Sequence, residues 1–273
     1  MTTPKQRIEA FRGLHQTGCF VVPNPWDKGT ARVLAQLGFQ ALATTSSGFA
    51  WSGGRSDNDS SLDDALAHFR QITDSVAVPV SADFQDCFAV DPSGVEENIG
   101  AAVKTGLAGL SIEDSARTGP TPLLDFSLSV ERVRAARSAA RHDGEDLVLT
   151  ARTEGFIVGL PDLDETIRRL TAYAEVGADC LYAPGLRTPE QIKAVVQAVS
   201  PKPVNVLVGS DFTTVAALAD LGVRRISVGG ALARAAWGGF LAAAQEIVVH
   251  GTFTHLSGAT PFGPLDGCFT VDT

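Results

Sequence analysis

Three residues stand at matching places in the chain: Asp83 in SADFQD, Glu113 in SIED and Arg152 in LTART. Each follows a short apolar run of the kind that forms a buried strand. Two carboxylates with no thiolate or paired histidines nearby favour a hard, oxygen-loving ion such as Mg2+, which typically keeps several waters. Arg152 adds a rigid donor fork for a carboxylate or a phosphate. The same residues also read as a plain ion-pair ring, with Arg152 paired to Glu113 or Asp114. Spacing alone leaves both readings open. Ser46-Ser47-Gly48 offers either an amide and a hydroxyl to an anion or an ordinary polar turn. Gly229-Gly230 suits a phosphate site at a helix start or close packing of the last helix. None of His15, His68, His142, His250 and His255 falls at the end of a predicted strand, so a histidine base or a zinc site has little support.

Positioning these groups falls to eight apolar runs, at 19–22, 41–44, 78–82, 109–112, 147–151, 180–183, 204–207 and 225–228. They are short and apolar throughout, as strands covered on both faces by helices should be. Amphipathic stretches of helical period lie between them, among them 62–75, 95–105, 129–141, 163–176 and 189–199. Gly38, Gly106, Gly177 and Gly222 suit helix C-termini just before the next strand. Eight alternating units in 273 residues predict one (β/α)8 TIM-type barrel domain spanning 1–273. In that fold the chemistry sits at the C-terminal strand ends, where Asp83, Glu113 and Arg152 fall. A long helix is expected over 231–249, and the tail from about 251 reads as irregular, with Pro261, Pro264 and several glycines.

Composition narrows the function classes. The chain carries 22 Lys+Arg against 31 Asp+Glu, a net charge of -9, without a basic cluster for nucleic acid. No stretch approaches the roughly 18–20 apolar residues of a membrane span, and the start is polar. Cys19, Cys87, Cys180 and Cys268 are scattered without a CxxC pair, which suits free thiols in a reduced, cytoplasmic setting. Neither a nucleic-acid nor a membrane partner is expected.

Taken together, TSSG, SADFQD, SIED, LTART and PVN occur after successive strands in an order that resembles the isocitrate lyase and phosphoenolpyruvate mutase superfamily. The resemblance spans about 11–249 and is nearest to the short bacterial branch of methylisocitrate lyase and carboxyphosphonoenolpyruvate phosphonomutase. It implies a Mg2+-dependent enzyme, with Mn2+ as a substitute, acting on a small 2-oxo acid or its enolate. By resemblance Asp83 and Glu113 hold the metal and Gln85 takes the place of its further carboxylate. Arg152 binds substrate oxygens and, with Glu113 and the gating-loop aspartate, forms the catalytic set. Thr45, Ser47 and Gly48 grip the substrate carboxylate, and Asn205 lies near the substrate's far end. Asp57 matches the gating-loop aspartate, with Asp59 competing. The family usually forms tetramers that swap the last helix, which implies a homo-oligomer, dimer or tetramer, built through 231–249.

Two departures stand out. Gln85 replaces an acid, which predicts weaker metal binding. The loop from Ser115 to Asp125 lacks the lyases' catalytic cysteine, which argues against a standard isocitrate or methylisocitrate lyase. Its only basic residue is Arg117, short of the pair typical of the mutases. The expected function is a carbon–carbon lyase acting on a small 2-oxo or 2-hydroxy acid. The alternatives are P–C bond chemistry on a phosphonopyruvate-like compound and a non-catalytic 2-oxo acid binding protein.

Overall fold

The computed structural model describes residues 2–116 and 121–270. In chain order the strands are β1 (Phe20–Val22), β2 (Leu42–Ala43), β3 (Val80–Ala82), β4 (Gly109–Glu113), β5 (Arg141–His142), β6 (Glu145–Asp146), β7 (Val148–Arg152), β8 (Cys180–Tyr182), β9 (Val204–Leu207) and β10 (Arg225–Ser227). The helices are α1 (Pro4–Leu14), α2 (Lys28–Gln36), α3 (Ser46–Ser52), α4 (Leu62–Thr73), α5 (Pro92–Val103), α6 (Phe126–Ala139), α7 (Leu163–Glu175), α8 (Pro189–Ala198), α9 (Val215–Asp220), α10 (Ala231–His250) and α11 (Phe262–Thr270). Eight strands pair in parallel in the order β1-β10-β9-β8-β7-β4-β3-β2, and β5 with β6 makes a separate hairpin. The ring closes where Ala43 N donates to Pro23 O at 3.0 Å and Asn24 Nδ2 donates to Thr44 O at 2.9 Å. All eight apolar runs become barrel strands. The architecture is a TIM-type (β/α)8 barrel.

Local chemistry explains the outer ring. Ser61 caps α4 and exchanges hydrogen bonds with Asp64, and the helix buries Ala65, His68, Phe69 and Ile72 against the strands. Helix α1 closes the N-terminal end of the barrel with Phe11, which is fully buried. That plug requires Gly109: a Cβ there would lie 2.7 Å from Phe11 Cε1 and 2.8 Å from Val148 O. Among the described residues no helix is long and apolar enough to cross a membrane.

Two regions depart from the sequence reading. TSSG starts α3 instead of forming a turn, because Thr45 caps the helix and accepts from Gly48 N at 3.4 Å. The tail is not irregular. Phe262, Leu265 and Phe269 recur at helical spacing along α11, and Pro264 falls in the first turn, where its missing N–H costs little. Helix α11 packs on α2, with Gln36 Nε2 donating to Cys268 O at 2.7 Å. Helix α10 leaves the barrel instead of covering it. Of its 20 residues only Ala233 is buried, and Phe240, Leu241, Val248 and Val249 are all more than half exposed.

His68 makes a testable contribution to stability. Its ring stacks on Phe49 at 4.1 Å between centroids, and both its nitrogens are buried without a partner. Burial pushes its pKa down to about 4. The unfolded chain therefore takes up a proton near pH 6.5 that the folded protein refuses, so stability falls as pH drops from about 6.5 to about 4, by roughly 3 kcal/mol. His68→Phe is expected to flatten that part of the pH profile in urea denaturation. An unchanged slope between pH 4.5 and 6.5 would remove His68 as its source.

Candidate active site

The ladder register aims the chemistry inward. Glu113 lies opposite Arg152, Arg152 opposite Tyr182, Tyr182 opposite Asn205, and Asn205 opposite Arg225. Residues opposite one another project to the same face, here the barrel interior. A cavity of about 170 Å³ opens there, bounded by Thr45, Ser47, Asp57, Asp83, Arg152 and Asn205, with Tyr182, Arg225 and Ser227 below. A larger groove of about 770 Å³ runs outside the strand ends along α7 and holds none of the expected site residues.

Arg152 is the hub. Its Nη1 lies 2.7 Å from Asp83 Oδ1 and 3.2 Å from Glu113 Oε2, and its Nε donates to Glu154 Oε1 at 3.0 Å. The guanidinium also sits over the Tyr182 ring at 5.0 Å. Asp83 Oδ2 accepts from Ser46 N at 3.1 Å, and Ser115 Oγ donates to Glu113 Oε1 at 2.6 Å. The ion-pair reading holds for Glu113 but not for Asp114. Asp114 turns away and accepts from Tyr173 OH at 2.7 Å, Arg169 Nη1 at 3.1 Å and Glu154 N at 2.9 Å.

Acidic side chains outnumber basic ones around Arg152. Burial raises the pKa of Glu113 against the pull of Arg152, and burial pushes Glu154 up to about 8. Partial desolvation and the Asp83 carboxylate raise Asp57. One guanidinium thus serves three acidic groups, of which Glu154 is largely protonated at neutral pH, and a divalent cation would offset the repulsion between Asp83 and Glu113. Among the described residues no three His, Cys, Asp or Glu side chains gather closely enough to hold a metal unaided. Mg2+ does not need that many, since one or two carboxylates with waters and substrate oxygens suffice. Asp83 and Glu113, which share Arg152 Nη1, fit this pattern.

The remaining expected residues are placed as follows. Asp57 borders the cavity and Asp59 does not. Thr45 and Ser47 border it too, their hydroxyls 3.2 Å apart, whereas Gly48 N is spent on Thr45. Gln85 lies outside: its Nε2 donates to Asn58 Oδ1 at 2.8 Å, beside a separate small cavity of about 20 Å³. Asn205 donates to Ser227 Oγ and accepts from Arg225 Nε, both at 2.9 Å. Gly230 is needed for packing, since a Cβ there would lie 2.7 Å from Ser47 Oγ. None of the four cysteines borders the cavity, and Arg117 lies outside the described residues.

Sequence reasoning missed Tyr182, Glu154 and Arg225 as site residues. The strand alternation held the signal, because Arg225 and Ser227 are polar at the two inward positions of an otherwise apolar strand. It also missed Arg132, 1% exposed on α6. Arg132 donates to Glu113 O at 3.0 Å, to Ala89 O at 3.0 Å and to Asp86 O, tying together the loops that carry Asp83 and Glu113.

A parallel barrel with carboxylates and an arginine at its strand ends belongs with the lyases and mutases of small carboxylates and phosphonates. The profile of the phosphoenolpyruvate phosphomutase family matches residues 11–248, and the chain belongs to that family. A Burkholderia cenocepacia protein provisionally assigned as a lyase or mutase superposes with a TM-score of 0.95 at 46% identity, over 98% of this chain and 97% of that one. A phosphonopyruvate hydrolase, solved with oxalate and Mg2+, superposes at 0.82 with 26% identity, over 97% and 95% of the two chains. In sequence, Escherichia coli 2-methylisocitrate lyase is 36% identical over 159 residues, 55% of this chain and 52% of that one.

Proposed function

We propose that this chain is a Mg2+-dependent lyase that cleaves a carbon–carbon bond beside the carbonyl of a small 2-oxo or 2-hydroxy acid. The observation that carries the reading is Arg152 Nη1 held between Asp83 and Glu113 at the mouth of the barrel cavity. Asp83 and Glu113 would hold Mg2+, which would supply Lewis-acid polarisation of the oxo acid's oxygens. Arg152 donates to the oxygen that gains charge as the bond breaks and an enolate forms. Thr45 and Ser47 hydroxyls orient the carboxylate, and Asn205 borders the far end. Asp57, on the stretch between α3 and α4, faces Asp83 across the cavity and closes the mouth over the substrate. Support comes also from the relatives, whose named activities include lyases, and from the oxalate and Mg2+ bound by the phosphonopyruvate hydrolase. The exposed apolar length of α10 further supports assembly as a homo-oligomer.

Proton NMR of the purified protein with Mg2+ and a panel of oxaloacetate, 2-oxoglutarate, isocitrate, methylisocitrate and alkylmalates tests this reading. One compound is expected to disappear faster than with Arg152→Ala, and EDTA is expected to stop the excess until Mg2+ is restored. Equal rates in the two proteins would sink the lyase reading. Phosphonopyruvate in the same panel, followed by phosphorus NMR, separates P–C from C–C chemistry. Binding throughout without any turnover would instead make the barrel a 2-oxo acid receptor.

A further inference from the structure

Three arginines are almost wholly buried among the described residues: Arg132, Arg169 and Arg225, at 1, 6 and 6% exposure. The first two are each held by several oxygen atoms, with Arg132 Nε alone lacking a partner among the described residues. Arg132 binds three backbone carbonyls, and Arg169 pairs with Asp114 and Glu165. Arg225 is not. Its Nε donates to Asn205 Oδ1 at 2.9 Å and its Nη1 faces His15 Nε2 at 3.5 Å, and no carboxylate of the described residues lies within ion-pair distance.

His15 cannot supply the missing charge. Its Nδ1 donates to Phe11 O at 2.8 Å, which leaves Nε2 as a neutral acceptor toward Arg225. Burial, reinforced by the charge on Arg225, pushes His15 down to about 3, so the ring is uncharged at neutral pH. The other groups around the floor of the cavity are neutral: Tyr182, Asn205, Ser111 and Ser227. Burying a cation is costly unless it is paired. One cavity therefore has two unlike ends. At the rim one guanidinium meets three acidic groups, and at the floor one guanidinium meets none.

We propose that Arg225 is the receptor for a second acidic group of the substrate, held on the floor of the barrel beneath Asn205. This rests on the oxo-acid reading of the rim and extends it by fixing the direction of the substrate. The oxo-acid end engages Arg152 and the acidic rim, and a second carboxylate points down the barrel axis to Arg225. A guanidinium recognises such a group through paired N–H donors, which a methyl in the same place cannot accept.

The test compares acids matched in length that differ in that one group: oxaloacetate against 2-oxobutyrate, and 2-oxoglutarate against 2-oxovalerate. Binding is followed by calorimetry with Mg2+ present, and succinate and malonate serve as unreactive probes. Wild type is expected to prefer the diacid of at least one pair. Arg225→Met is expected to weaken that diacid at least tenfold while leaving its monoacid partner within twofold. Arg225→Lys, which keeps the charge, restores part of the preference and stands in should the Met variant fail to fold.

Equal weakening of diacid and monoacid would overturn the proposal, because Arg225 would then only hold Asn205 in place. Unchanged binding of both would overturn it as well. The rim reading can fail separately. If no oxo acid turns over and Arg152→Ala binds them normally, while succinate or malonate still binds in an Arg225-dependent way, the floor site stands and the lyase does not.

Discussion

Arg152→Ala is expected to lower kcat by about a hundredfold to a thousandfold, the scale seen when a donor to a developing oxyanion is removed. The geometry argues for an effect at the upper end. Among the described residues, Arg152 is the one cation shared by Asp83, Glu113 and Glu154, at 2.7, 3.2 and 3.0 Å. Removing it takes away the donor and also leaves three acidic groups facing one another around the cavity. Their repulsion raises their affinity for protons and, by the same electrostatics, for a divalent cation. Loss of the chemical step should therefore appear without loss of metal affinity. Arg152→Lys should recover only part of the rate, because a single ammonium cannot reach Asp83 and Glu154 with separate fork nitrogens. Steady-state rates at saturating Mg2+ check both variants. A rate for Arg152→Ala within tenfold of wild type would remove Arg152 from the centre of the mechanism.

The largest loss of stability is expected at Asp114. This residue is 2% exposed and accepts three hydrogen bonds, from the Arg169 guanidinium, the Tyr173 hydroxyl and the Glu154 amide. Asp114→Ala strands the Arg169 charge in the interior, with Glu165 as its remaining carboxylate, and leaves a buried hydroxyl and amide unanswered. Breaking a buried pair in this way costs about 3–5 kcal/mol, which for a chain of this size lowers Tm by on the order of 10 °C. Asp114→Asn keeps the shape and some of the hydrogen bonds, and should fall between the two. Thermal unfolding monitored by circular dichroism reads the effect. Because the Glu154 amide is one of the three partners, the alanine variant should also loosen the segment carrying Arg152, raising KM before it lowers kcat. A Tm within 2 °C of wild type would show that Arg169 finds another partner.

Much of this protein is legible along the chain. The apolar runs and their glycine punctuation specify an eightfold alternation because a strand buried on both faces must be apolar, and a helix must end before the next strand begins. The strand-end rule then puts Asp83, Glu113 and Arg152 on one rim. The tail was misread for a local reason. Glycines and Pro264 look like breakers, but Pro264 falls in the first turn of α11, where helices tolerate proline, and Phe262, Leu265 and Phe269 find α2.

What the chain could not show is which way each side chain turns and what answers its charge. Glu113 and Asp114 are neighbours in sequence, but strand alternation sends one inward to Arg152 and the other outward to Arg169. Gln85 follows Asp83 by two residues, yet past the strand end its backbone takes a φ of 51° and its side chain reaches Asn58 instead. Strand alternation marks Arg225 as inward, but its lack of a carboxylate partner among the described residues shows only once the barrel closes around it. Sequence thus determined the alternation and the acidic rim, since periodicity and residue type are local properties. The pairing of buried charges was decided by closure of the barrel, because it depends on which groups far apart in the chain share a space from which water is excluded.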